Sequence, residues 1–98
     1  MTTITWRAGL TLPHDPDAVE DYRWDWAAWL GAATLSAVTV LPVTGLSVAE
    51  VATARTGTTC DLRVQGGVAG TVYAVTLRAD ASDGRRQDRT VLFDCKER

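Results

Sequence analysis

Val72-Tyr-Ala-Val-Thr-Leu-Arg-Ala79 is the stretch on which the reading of the fold turns. Tyr73, Val75, Leu77 and Ala79 alternate with Ala74, Thr76 and Arg78, a period of two with one apolar and one mixed face. A helix would instead gather its apolar residues every three or four positions. On the C-terminal side, Asp83-Gly84 is a hairpin signal, and Val91, Phe93 and Cys95 resume the same parity. On the N-terminal side, Cys60, Leu62 and Val64 repeat it before Gly66-Gly-Val-Ala-Gly-Thr71 breaks the pattern.

Working outward, the chain is a series of short segments rich in Val, Thr and Leu, punctuated by Gly, Pro, Asp and Ser. The pattern predicts strands over Thr3–Leu10, Asp21–Trp26, Thr34–Leu41, Leu46–Arg55, Thr58–Gln65, Val72–Ala79 and Arg89–Cys95. Pro42 and Gly45 mark a turn, and Trp26, Trp29 and Leu30 have the spacing of a single helical turn between strands. The expected fold is all-β, an antiparallel sandwich of about seven strands. Its core takes Trp26, Trp29, Leu62, Tyr73, Val75, Leu77 and Phe93.

Ninety-eight residues predict one domain, 1–98, large enough for a single core. Ten basic against twelve acidic side chains leave a formal charge of −2, which gives no electrostatic reason to expect nucleic acid as a partner. No basic region followed by an apolar run opens the sequence, and the longest apolar run, Trp26 to Ala33, is too short to span a bilayer. Cys60 and Cys95 form no CxxC and have no nearby histidine, so they are expected as buried thiols in a reducing compartment. Lys96-Glu-Arg98 reads as a solvated tail.

Two resemblances bear on fold and function. The order Leu62, turn, Tyr73, Val75, Leu77 resembles fibronectin type III and bacterial immunoglobulin-like domains, in which a tyrosine locks the corner before its strand; Tyr73 is the matching residue. Asp15-Pro-Asp-Ala-Val-Glu-Asp-Tyr-Arg-Trp-Asp-Trp-Ala-Ala-Trp-Leu30 and Gly66-Gly-Val-Ala-Gly-Thr-Val-Tyr-Ala-Val-Thr76 together resemble the fiber-tail adaptor proteins of tailed phages. The sequence departs from that pattern at Trp24, where a smaller apolar residue is expected, and after Gly31, where a Gly-Asp pair is missing.

The adaptor resemblance implies a non-catalytic virion protein, assembled in the host cytoplasm, that connects tail or connector components and fibers at the neck or tail. It implies other virion proteins as partners and several copies in a symmetric ring, without cofactor, metal or membrane. The alternative is a free-standing immunoglobulin-like binding module for carbohydrate or cell surfaces. Trp24 and Trp6 exposed side by side would favour it.

The candidate site residues are few. Three of the four tryptophans lie within Trp24–Trp29, threaded with carboxylates. Trp26 and Trp29 read as core, Trp24 as partly buried and a candidate partner anchor, and Trp6 as a lid over one open end. His14, Asp15, Asp17, Glu20, Asp21 and Asp25 lack the glycine-bent loop that calcium binding uses, so they read as a solvated acidic segment. His14 is the only histidine, so a nucleophilic dyad or acid–base pair would have to use it. Arg85, Arg86 and Arg89 form the one basic cluster, at and after a hairpin tip; Arg85 and Arg86 are the candidate protein-interface residues.

Overall fold

The computed structural model describes residues 2–51 and 57–96. Eight strands and one helical turn follow in order: β1 Thr2–Thr5, β2 Thr11–His14, β3 Val19–Asp25, α1 Ala27–Leu30, β4 Leu35–Val40, β5 Leu46–Glu50, β6 Thr59–Gly66, β7 Val72–Ala81 and β8 Arg86–Cys95. They form two four-stranded sheets, β1-β3-β6-β5 and β2-β8-β7-β4. The architecture is a β-sandwich, as the period of two predicts.

Two expectations about its detail need correction. Thr3–Leu10 is not one strand: β1 ends at Thr5, a turn in which the Leu10 N–H donates to the Arg7 carbonyl at 3.2 Å reverses the chain, and Thr11 opens β2 in the other sheet. Gly9, with φ of 79°, supplies the backbone angle this reversal needs. The sheets are also mixed, not wholly antiparallel, because β1 runs parallel to β3 and β2 parallel to β8. A tight hairpin enforces antiparallel neighbours, whereas β1 reaches β3 only after the chain has crossed to the opposite sheet and returned. Smaller differences lie at the ends of strands. Trp26 leaves β3 to open α1, and β8 begins at Arg86. The end of the expected strand Leu46–Arg55, residues 52–55, lies outside the described residues, as do residues 97–98 of the tail.

Inward parity builds the core. Ile4, Tyr22, Trp24, Leu62 and Val64 from one sheet meet Val75, Leu77, Val91 and Phe93 from the other, each at most 3% exposed. Tyr22 and Phe93 pack edge to face across the layer at 5.2 Å. Trp26, Leu62, Val75, Leu77 and Phe93 are buried, while Trp29 and Tyr73 are half-buried and pack against the same cluster. Cys60 and Cys95 are buried thiols, and burial pushes the Cys95 thiol up from its ordinary 9.0.

The outer faces show how register is held. On β3 and β6, Asp21 lies opposite Arg63 and Arg23 opposite Asp61, each pair joined by two hydrogen bonds of 2.8–3.1 Å. On β7 and β8, Arg78 faces Asp88 and Asp80 faces Arg86. A one-residue slip is opposed by the hydrophobic pattern, since it would turn the core outward. A two-residue slip preserves that pattern, and here the charges oppose it. It sets Arg23 against Arg63 or Asp21 against Asp61 in one sheet, and Arg78 against Arg86 or Asp80 against Asp88 in the other.

The guanidinium hydrogen bonds hold the Asp21 and Asp88 carboxyls below their ordinary 3.8. Because each folded-state value lies below the unfolded one, this stabilisation is present above pH 3.8 and is lost as the pH falls through the lower, folded value.

Tyr73 locks the crossing from β6 to β7. Its hydroxyl accepts the Val68 N–H at 3.0 Å, and its ring passes over Gly45 and Gly67. Gly67 has φ of 93°, and a Cβ there would stand 2.7 Å from Cys95 Sγ. Gly67→Ala is therefore expected to destabilise the fold by about 2 kcal/mol or more, read as a lower urea midpoint. An unchanged midpoint would contradict this packing of the corner.

Candidate interface at the tryptophan end

Strand direction collects particular side chains at each end of the sandwich. The β1–β2 turn, α1 and the β7–β8 hairpin share one end; the β2–β3, β4–β5 and β6–β7 connections share the other.

All four tryptophans meet at the α1 end. Trp24 and Trp26 leave β3 with the same parity and stack at 6.4 Å and 16°. Trp29, one turn on, packs edge to face on Trp26 at 5.6 Å. Trp6 comes in from the end of β1, and its Nε1–H donates to the Thr90 carbonyl at 2.9 Å. The expectation that Trp24 is partly buried and faces a partner is corrected, because it is 1% exposed. Ile4 from β1 lies beside it in register and Trp26 covers its face, so no free surface remains.

Two arginines complete the cluster. Arg85 was expected at a partner interface, yet its donors are directed inward to the chain. It donates to Asp83 at 2.7 Å and to the Trp29 and Leu30 carbonyls at 2.9 Å each, and lies 5.0 Å from the Trp29 ring centroid. Those carbonyls sit at the end of a four-residue helix, where the Leu30 carbonyl also accepts the Ala33 N–H at 3.1 Å, so Arg85 fastens the hairpin tip to α1. Arg85→Gln is expected to raise hydrogen exchange at the Gly31 and Ala33 amides about tenfold, with Val75 and Val91 unaffected. Equal exchange in both proteins would remove the fastening role. Arg86 pairs with Asp80 at 2.6 Å and keeps a side chain 62% exposed.

Arg89 was legible only as a member of the basic cluster, although it shares the inward parity of Val91, Phe93 and Cys95. Its guanidinium lies between two indoles, 4.9 Å from Trp6 and 4.4 Å from Trp26. Desolvation lowers its pKa from the ordinary arginine value.

The opposite end carries the acidic segment. Asp15 Oδ1 accepts the Asp17 N–H at 2.9 Å, Glu20 accepts the Tyr22 hydroxyl at 3.0 Å, and Val68 and Val72 are more than half exposed. His14 is 0% exposed, against the edge of Phe93 and 3.5 Å from the Tyr22 hydroxyl. Asp21 and Asp25 lie away from it on the outer face of β3, so the structure does not bring the six acidic-segment residues together. Among the described residues, no group of three or more His, Cys, Asp or Glu side chains is placed to hold a metal ion, and no helix is long and apolar enough to cross a membrane.

Fold and surface thus define a small two-sheet β-sandwich whose aromatic and charged side chains gather at its two ends. The family model described as podophage GP4 fiber-tail adaptor protein gp77 matches residues 14–94 of the 98, and the chain belongs to that family. The match takes in β3 to β7, α1 and most of β8, but leaves out β1 with Trp6. Comparison with curated proteins finds no match.

Proposed function

We propose that the chain is a structural component of the virion, assembled in the host cytoplasm, that joins tail or connector components to fibers at the neck or tail without catalysing a reaction. The observation that carries this reading is the family match over residues 14–94. Residues 1–98 act as one domain, with several copies arranged in a symmetric ring and neighbouring virion proteins as the partners.

The mechanism is geometric. Each end presents a different set of loops to a different neighbour, and the two hydrogen-bonded sheets hold those ends at a fixed separation. The strand groups β3-β6-β5 and β8-β7-β4 correspond to the B-E-D and G-F-C groups of an immunoglobulin domain, which supports the immunoglobulin-like reading. The full burial of His14 supports a non-catalytic role. Trp24 lies in the core and Trp6 holds Thr90 and Arg89, which takes away the paired exposed tryptophans that a sugar-binding face requires.

Mass spectrometry of purified particles tests the assignment. The chain is expected in stoichiometric amount in wild-type particles, and particles made without it are expected to lack fibers. Its absence from particles that carry fibers would overturn the assignment.

A further inference from the structure

Arg23, Arg63, Arg78, Arg85 and Arg86 each have an aspartate within 2.9 Å. Arg89 has none among the described residues. Its Nε donates to Gln87 at 2.7 Å, its Cζ lies over the Trp6 and Trp26 rings, and the residue is half-buried. An arginine whose guanidinium carbon lies over two aromatic rings is pre-organised and partly stripped of water, which strengthens its attraction for a carboxylate. Arg7, exposed on the neighbouring turn, also has no carboxylate partner among the described residues.

The opposite end shows the converse. Asp15, Asp17 and Glu20 have no basic partner among the described residues, and Asp17 is exposed with its carboxylate engaged by neither of its neighbours. The part of β8 from Arg89 to Cys95, which lies in register with His14, spans about 20 Å at the usual rise per residue and separates this segment from Arg89, so the two cannot meet within one copy. A second copy can bring them together.

We propose that copies of this chain associate head to tail, the Asp15–Glu20 segment of one docking on the Trp6–Arg89–Trp26 clamp of the next, with Asp17 supplying the carboxylate that meets Arg89. The inference deepens the multi-copy reading above and rests on it. A contact of this kind uses two different surfaces, so it propagates to a closed ring or an open filament and does not stop at a symmetric dimer.

Sedimentation velocity of the full chain at low and high salt tests it, with circular dichroism confirming the fold of each variant. Wild type is expected to self-associate, about tenfold more weakly at high salt. Asp17→Arg, on an exposed loop where folding is not at risk, and Arg89→Gln are each expected to be monomeric. Mixed in equal amounts they are expected to give a one-to-one dimer and nothing larger, because each variant keeps one intact end. Wild type that associates regardless of Asp17→Arg would overturn this interface and leave the multi-copy reading standing. Wild type that stays monomeric at every concentration and salt would overturn the inference itself, and particle composition would still decide the adaptor assignment.

Discussion

Trp26→Ala is expected to lower the stability of the fold by about 3–5 kcal/mol, the usual cost of removing a large buried aromatic side chain. Trp26 is 1% exposed and sits at the centre of the cluster, stacked on Trp24, edge to face with Trp29 and under the Arg89 guanidinium. Its loss would leave a cavity that neither sheet can close, because both backbones are tied by ladder hydrogen bonds on either side. A domain of this size is stable by roughly 5–15 kcal/mol, so the variant stands near the edge of folding. Trp29→Ala, at a half-buried position, is expected to cost clearly less. Urea unfolding of the two variants makes the comparison, and equal losses would contradict the placing of Trp26 at the core of this end.

Asp61→Arg is the second large effect, about 3 kcal/mol or more, from burying an unpaired charge. Asp61 is 2% exposed although it points to the outer face of its sheet, and Arg23 engages both of its carboxylate oxygens. Reversal sets two guanidinium groups directly opposite each other across β3 and β6. Arg23→Asp combined with Asp61→Arg restores an opposed pair and is expected to recover more than half of the loss. The same exchange leaves β3 with only acidic side chains on this part of its outer face and β6 with only basic ones, so the two-residue slip no longer meets like charges. Amide exchange along β3 is expected to show a more mobile register even where stability returns. No recovery in the double variant would show that the site responds to shape, not charge.

The sequence readings that held were those of the inner face. A period of two over Val72–Ala79 identified a strand, and extending its parity through Leu62 and Phe93 placed residues that are buried in the structure. What the sequence did not disclose depends on which strand lies beside which. The break of the first strand at Arg7–Leu10 looks like ordinary strand sequence except for Gly9, because Thr, Ile, Trp and Leu are all compatible with extended backbone. Parallel pairing of β1 and β2 follows from crossings between sheets, which local propensity does not encode. Trp24 looked available to a partner because β1 had not been recognised as the strand that covers its edge. At the tryptophan end, Arg85 and Arg86 looked alike on a hairpin tip, yet α1 lies over one and not the other. Arg89 was read only as part of the basic cluster, although its parity with Val91 carried the signal that would have pointed it inward.

A cryo-electron microscopy reconstruction of the neck and tail of the particle bears most directly on the whole account. The account predicts a two-sheet body in several symmetric copies, with the four-tryptophan end and the acidic end against different neighbours. Density for this chain that is helical, or that touches its surroundings only through the charged outer faces of the sheets, would contradict it.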